Sequence, residues 1–113
     1  MTKQEWTFEV MHGAYLMSNS KINEGYLNDT LQIYIRNEYP IYQMMQSKRT
    51  KAHSVAWAAL MYDANTRLKW NGYNATCTSE QLKKWLAEYG RGYETIAETV
   101  EFVEEERKEM AEA

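Results

Sequence analysis

The chain has 113 residues, 44% of them hydrophobic and 13% aromatic, with a formal net charge of −3. That is length for one domain with one modest core and composition for a folded rather than a disordered chain. A single cysteine, Cys77, excludes an intramolecular disulfide framework and a multi-cysteine zinc site, and no apolar run approaches the roughly 20 residues of a membrane-spanning helix.

The opening, MTKQEWTFEV, carries no signal-peptide core, and a lone thiol fits a reducing compartment. A soluble, cytoplasmic protein is expected, so the N-x-T triplets at Asn28 and Asn74 carry no weight. Residues 5–17 read two ways. Thr2-x-x-Glu5 is a capping box, after which Trp6, Val10 and Met17 line one helix face. Alternatively, Trp6 to Val10 alternates as a strand does, with His12-Gly13 as the turn of a small N-terminal β-hairpin. Helix is preferred because a lone hairpin needs packing support.

Leu27, Leu31, Tyr34 and Ile35 fall at helical spacing, giving a helix over 26–37. Pro40 suits the first turn of a further helix that turns Ile41, Met44 and Met45 inward. Polar, basic Gln46–Thr50 then either bends the chain or lies inside one long helix from Pro40 to Trp70.

Residues 51–70, KAHSVAWAALMYDANTRLKW, form the longest uninterrupted helical run. Ala52, Val55, Ala56, Ala59 and Leu60 make one apolar stripe. Trp57, Met61, Ala64 and Leu68 make a second beside it. A helix apolar over this much of its circumference belongs in the middle of a bundle. Asn71-Gly72 stops it. Thr78-x-x-Gln81 is a capping box for a short helix with Leu82, Trp85, Leu86 and Tyr89 inward, ending at Gly90. Tyr93, Ile96, Ala97, Val100 and Val103 line one face of the last helix. Glu94, Glu98, Glu101, Glu105 and Glu109 point elsewhere. Past Val103 only Met110 is strongly apolar, so that end is expected to fray or to await a partner. The expected fold is mainly α: one domain over 1–113, a compact bundle of four to five helices around helix 51–70.

Charge is unevenly spread. Met1–Tyr93 holds 11 Lys and Arg against 8 Asp and Glu (+3), whereas Glu94–Ala113 holds 2 against 8 (−6). The bland account is a solvated helix face; the functional one is a charged partner. Four Trp, nine Tyr and two Phe are more aromatics than one small core easily hides, and Tyr-rich surface is typical of binding faces. Tyr34, Tyr39, Tyr42, Met44 and Tyr93, with Glu98, Glu101 and Glu105, are therefore the candidate contacts for a protein partner.

Lys48, Arg49, Lys51 and His53, with Arg67 further along, make up an alternative anion or nucleic-acid site, with Trp57, Tyr62 and Trp70 for stacking. A low overall charge argues against a dedicated nucleic-acid binder. Asp63 with Asn65 and Arg67 is read as a pair satisfying polar groups at the rim of the core. Cys77 sits just before a helix cap, where the helix dipole lowers a thiol pKa, but nothing in the spacing joins it to His12 or His53. There is no H-x-x-x-H pair, P-loop or G-x-G-x-x-G, so neither cofactor nor metal is expected, and no enzyme.

Ala58-Ala59-Leu60-Met61-Tyr62, then Thr78–Leu86 (TSEQLKKWL), then the acidic helix Tyr93–Val103 together resemble small phage tail-assembly chaperones. That family carries a capped helix ending in Trp-Leu, followed by an acidic amphipathic helix. The likeness covers under half the chain. It implies a non-enzymatic protein of the host cytoplasm that coats a larger protein during assembly. Small phage-encoded inhibitors of host complexes share this size and composition without a shared motif. The expectation is thus a binding protein with a larger protein partner, capable of forming a homo-oligomer, with nucleic acid as the lesser alternative.

Overall fold

A computed structural model describes residues 8–17, 27–73, 76–88 and 93–112. Among them are six helices and no strand: α1 Phe8–Met17, α2 Leu27–Asn37, α3 Tyr39–Gln46, α4 Ala52–Trp70, α5 Ser79–Glu88 and α6 Glu94–Glu112. The hairpin alternative fails, because His12-Gly13 lies inside α1. Of the face expected for α1, Val10 packs against the core, and the Trp6 and Met17 side chains are outside the described residues. Met11 and Ala14 are buried and Val10 is half-buried. Trp6 and the Thr2-x-x-Glu5 box lie outside the described residues, as do Tyr89, Gly90 and Asn74.

α4 touches each of the other five helices, most extensively α6. Val55, Ala56, Ala59, Leu60, Ala64 and Leu68 are all fully buried. Three of these are alanines, small enough for neighbouring backbones to approach closely. The second stripe is enclosed less fully: Trp57 and Met61 stay half-buried against the core. Leu31, Ile35, Met45, Leu82, Trp85, Leu86 and Val103 close around α4. Each such side chain contributes about 1.5–3 kcal/mol by leaving water.

Local chemistry sets the element ends. Glu38, in extended conformation, is the only residue between α2 and α3, and Pro40 lies in the first turn of α3. Residues 47–51 bend the chain, so 40–70 is not one helix. α4 ends as the sequence predicts, on Gly72 at φ +84°. Gly72 N–H donates to Lys69 O (3.0 Å) and Tyr73 N–H to Leu68 O (3.0 Å), the paired bonds of a Schellman motif. Asn71 Nδ2 adds bonds to Arg67 O (2.8 Å) and Ala14 O (3.3 Å), fastening α1 to the end of α4. The capping box of α5 is formed in both directions: Gln81 N–H donates to Thr78 Oγ1 (3.1 Å) and Thr78 N–H to Gln81 Oε1 (2.7 Å).

α6 departs from expectation. Thr95, Ile96, Thr99 and Val103 are buried, while Tyr93 and Ala97 are exposed. The inward face is rotated because threonine can enter a core when its hydroxyl finds an acceptor. Thr99 Oγ1 donates to Thr95 O at 2.8 Å. Nor does the end fray. α6 stays helical to Glu112, and Arg107 explains why. Its guanidinium reaches the C-terminus of α3, with Nε on Met45 O (2.8 Å) and Nη2 on Ser47 O (3.0 Å) and Met44 O (3.2 Å). A helix end leaves its last carbonyls without intrahelical partners, and a cation there also opposes the helix dipole. On the neighbouring turns, Arg36 of α2 pairs with Glu106 (2.6 Å) and lies over the Phe102 ring (4.9 Å).

Candidate functional site

The residues singled out by sequence separate into three places. The first is a groove of about 430 Å³ where α3, α4 and α5 meet, lined by Met44, His53, Ser54, Trp57, Ala58, Ser79 and Lys83. Met44, Trp57 and Ala58 give it an apolar floor. Lys83 and His53 stand exposed on the rim, and the His53 ring lies parallel to Trp57 (interplanar angle 6°, centroids 6.4 Å apart). The first turns of both α4 and α5 contribute to the lining of this hollow, through His53, Ser54 and Ser79. Lys51, the N-cap of α4, places no side-chain acceptor on the first N–H groups of that helix. Met44 and His53 come from the two opposing candidate lists, and the fold makes them neighbours. Sequence reading missed Lys83, one of several surface lysines with nothing to mark it out.

The second place is the inside of the bundle. Arg67, an expected anion ligand, is 1% exposed; its Nε donates to Asp63 Oδ2 at 2.9 Å, and Asp63 is fully buried. Arg67 therefore cannot serve a surface site, and the pair sits within the core rather than at its rim. Residues 63 and 67 continue the Ala56–Leu60 stripe by helical turns, and that register buries them. Tyr34 covers this pair, its ring edge-on to Tyr62 at 4.8 Å. Burial pushes the Tyr34 phenol well above its ordinary range, and the Asp63 carboxylate pushes the same way. Tyr62 is raised too, first by desolvation and then by its hydrogen bond to Glu38. Tyr34 and the half-buried Tyr42 are thus packing residues more than free contacts. Cys77 is likewise buried. Burial pushes its thiol up to about 11, opposite to the lowering expected from a helix dipole, and its N–H is held by Asn65 Oδ1 (2.9 Å). His53 lies about 15 Å along α4 from Asp63, so no cleft gathers His53, Asp63 and Cys77.

The third place is the outer face of α6. Glu101, Glu104, Glu105, Glu109 and Glu112 are exposed, whereas Glu98 is half-buried. The expected Tyr/Met/Trp surface is not one patch. Tyr93, 52% exposed, immediately precedes α6, while Met44 lies beside Arg107, about 21 Å further along. Tyr39, 68% exposed, follows the α2–α3 corner. Lys48, Arg49 and Lys51 remain exposed around the bend before α4.

Among the described residues no three His, Cys, Asp or Glu side chains are placed to hold a metal, and no helix is long and apolar enough to cross a membrane. No family model matches the chain, and neither does any curated protein or solved structure.

Proposed function

We propose that this chain is a non-enzymatic protein-binding factor that receives a segment of a larger partner protein in the α3–α4–α5 groove. The observation that carries the reading is the make-up of that hollow. It has an apolar floor of Met44, Trp57 and Ala58 under a polar rim with Lys83, the arrangement by which grooves take an amphipathic segment. The exposed glutamates of α6, Glu101 and Glu105 among them, steer the encounter. An assembly chaperone or adaptor of phage type, or an inhibitor of a host complex, is the form this function takes, acting in the cytoplasm. Two of the segments that resemble tail-assembly chaperones supply Ala58, Ser79 and Lys83 to the groove.

The test is capture from an extract of the cells that naturally make the protein. Partners would be identified by mass spectrometry for the wild type, for Met44→Glu with Lys83→Glu, and for Tyr93→Ala. A partner lost with the groove variant and kept by Tyr93→Ala supports the reading. An unchanged set of partners removes the groove from the function. Truncation after Val103 is not a usable test, because it also deletes the Arg107 support of α3. A nucleic-acid reading survives on the exposed Lys48, Arg49, Lys51 and His53 alone, now without Arg67. Salt-sensitive retention on a phosphate-bearing column supports it, and indifference to salt removes it.

A further inference from the structure

We propose that the hollow between the end of α3 and the end of α6 is a site for a small carboxylate on a short apolar body, a ligand the size of benzoate or hexanoate. The hollow measures about 250 Å³ and is lined by Met45, Gln46, Lys48, Arg107, Met110 and Ala111. It shares no lining residue with the α3–α4–α5 groove.

Arg107 is held differently from the other arginines packed on the bundle. Arg67 pairs with Asp63 (2.9 Å) and Arg36 with Glu106 (2.6 Å). Half-buried Arg107 donates instead to three backbone carbonyls through Nε and Nη2, and among the described residues no carboxylate pairs with it. A guanidinium has five N–H donors, so these bonds leave the two on Nη1. A helix C-terminus carries about half an elementary negative charge, so the carbonyls offset only part of the cation. The same three bonds fix the group, so a ligand meeting Nη1 finds a donor already oriented.

The rest of the lining defines what the anion must carry. Met45, Met110 and Ala111 are apolar, and Met110 is 40% exposed. Methionine adapts its shape to a ring or a chain. Lys48, exposed, adds a second positive charge, and neither Asp nor Glu lines the hollow. A bare phosphate would leave the apolar wall in water, and a plain hydrocarbon would leave both cations unmet. A carboxylate on an apolar body satisfies both. Dry cavities of about 150 Å³ take benzene, so about 250 Å³ adds room for a carboxylate. Two sources share this chemistry: a free short-chain or aromatic acid, and the carboxy-terminal residue of a peptide.

The experiment is an NMR titration of the full chain, isotope-labelled at its methionine methyls and arginine side chains, with hexanoate, hexanamide and N-acetyl-leucine. Hexanoate should shift the Met45, Met110 and Arg107 signals saturably, with a dissociation constant on the order of 1 mM. Neutral hexanamide should bind about tenfold more weakly. Lys48→Glu should weaken hexanoate by about tenfold, and Ala111→Phe should abolish binding by filling the hollow. Both side chains are exposed, so the fold is kept. Tighter binding of N-acetyl-leucine, the stand-in for a chain end, assigns the site to a peptide terminus; the reverse order assigns it to a free acid. Four results overturn the proposal: no saturable shift with either acid, shifts confined to Trp57 in the groove, hexanamide equal to hexanoate, or binding unchanged in both variants.

Discussion

The two ends of α4 use the same kinds of residue for opposite purposes. At the C-terminal end, Asp63 and Arg67 turn inward and are closed off from water. At the N-terminal end, Lys51 and His53 stand in solvent, and the first turn of the helix lines an open groove. Both ends read in sequence as charged residues on an alanine-rich helix. Helical register and neighbours separate them. Positions 63 and 67 lie on the stripe that faces the other helices, whereas residues 51 and 53 precede the depth at which α4 is surrounded. A cation on a central helix is therefore evidence for a site only once its face is known.

The largest expected effect breaks the buried end. Arg67→Met leaves the Asp63 carboxylate in the core without its cation, and urea unfolding should show a loss of about 3–5 kcal/mol. The double variant Asp63→Leu with Arg67→Met should recover most of that. If the single variant costs under about 1 kcal/mol, water reaches Asp63 and the contrast between the ends disappears.

Next comes Arg107→Ala, expected to cost about 1–3 kcal/mol in thermal or urea melts by removing the guanidinium that donates to the Met45 carbonyl at the end of α3. The groove should suffer with it, because Met44 belongs both to its floor and to the capped turn. Thr78→Ala should cost about 1 kcal/mol by opening the capping box of α5. It tests whether the groove wall carrying Ser79 and Lys83 depends on that cap. Amide exchange in α5 should rise while that of α2 stays unchanged.

The smallest effect at neutral pH belongs to Cys77. Burial keeps the thiol protonated up to about 11, against an ordinary 9.0, so the unfolded chain releases this proton first. Stability should therefore fall as pH rises from about 9 towards 11. Cys77→Ala should flatten that fall while changing stability at pH 7 by about 1 kcal/mol. Equal alkaline slopes for the two proteins would mean that the thiol is not shielded.

Much of the fold was legible because it rests on local rules. The 3.6-residue period marks α2, α4 and α5; Gly72 and the Thr78-Gln81 box mark element ends; Pro40 marks the start of α3. The face of α6 was misread because Thr95 and Thr99 count as polar in a pattern but bury well once Thr99 bonds within its own helix. Arg107 had one usable signal, a lone arginine among glutamates. Nothing in the chain, however, says that the carbonyls it reaches belong to residues about sixty positions earlier.

The sequence by itself determined that this chain is helical, where most of its helices stop and that residues 51–70 lie at its centre, because hydrogen bonding and periodicity act within a few residues. Which charged groups are sealed, which line the groove and which remain on the acidic face was decided only by tertiary structure. Those outcomes depend on what packs opposite each side chain, and the partners come from distant parts of the chain.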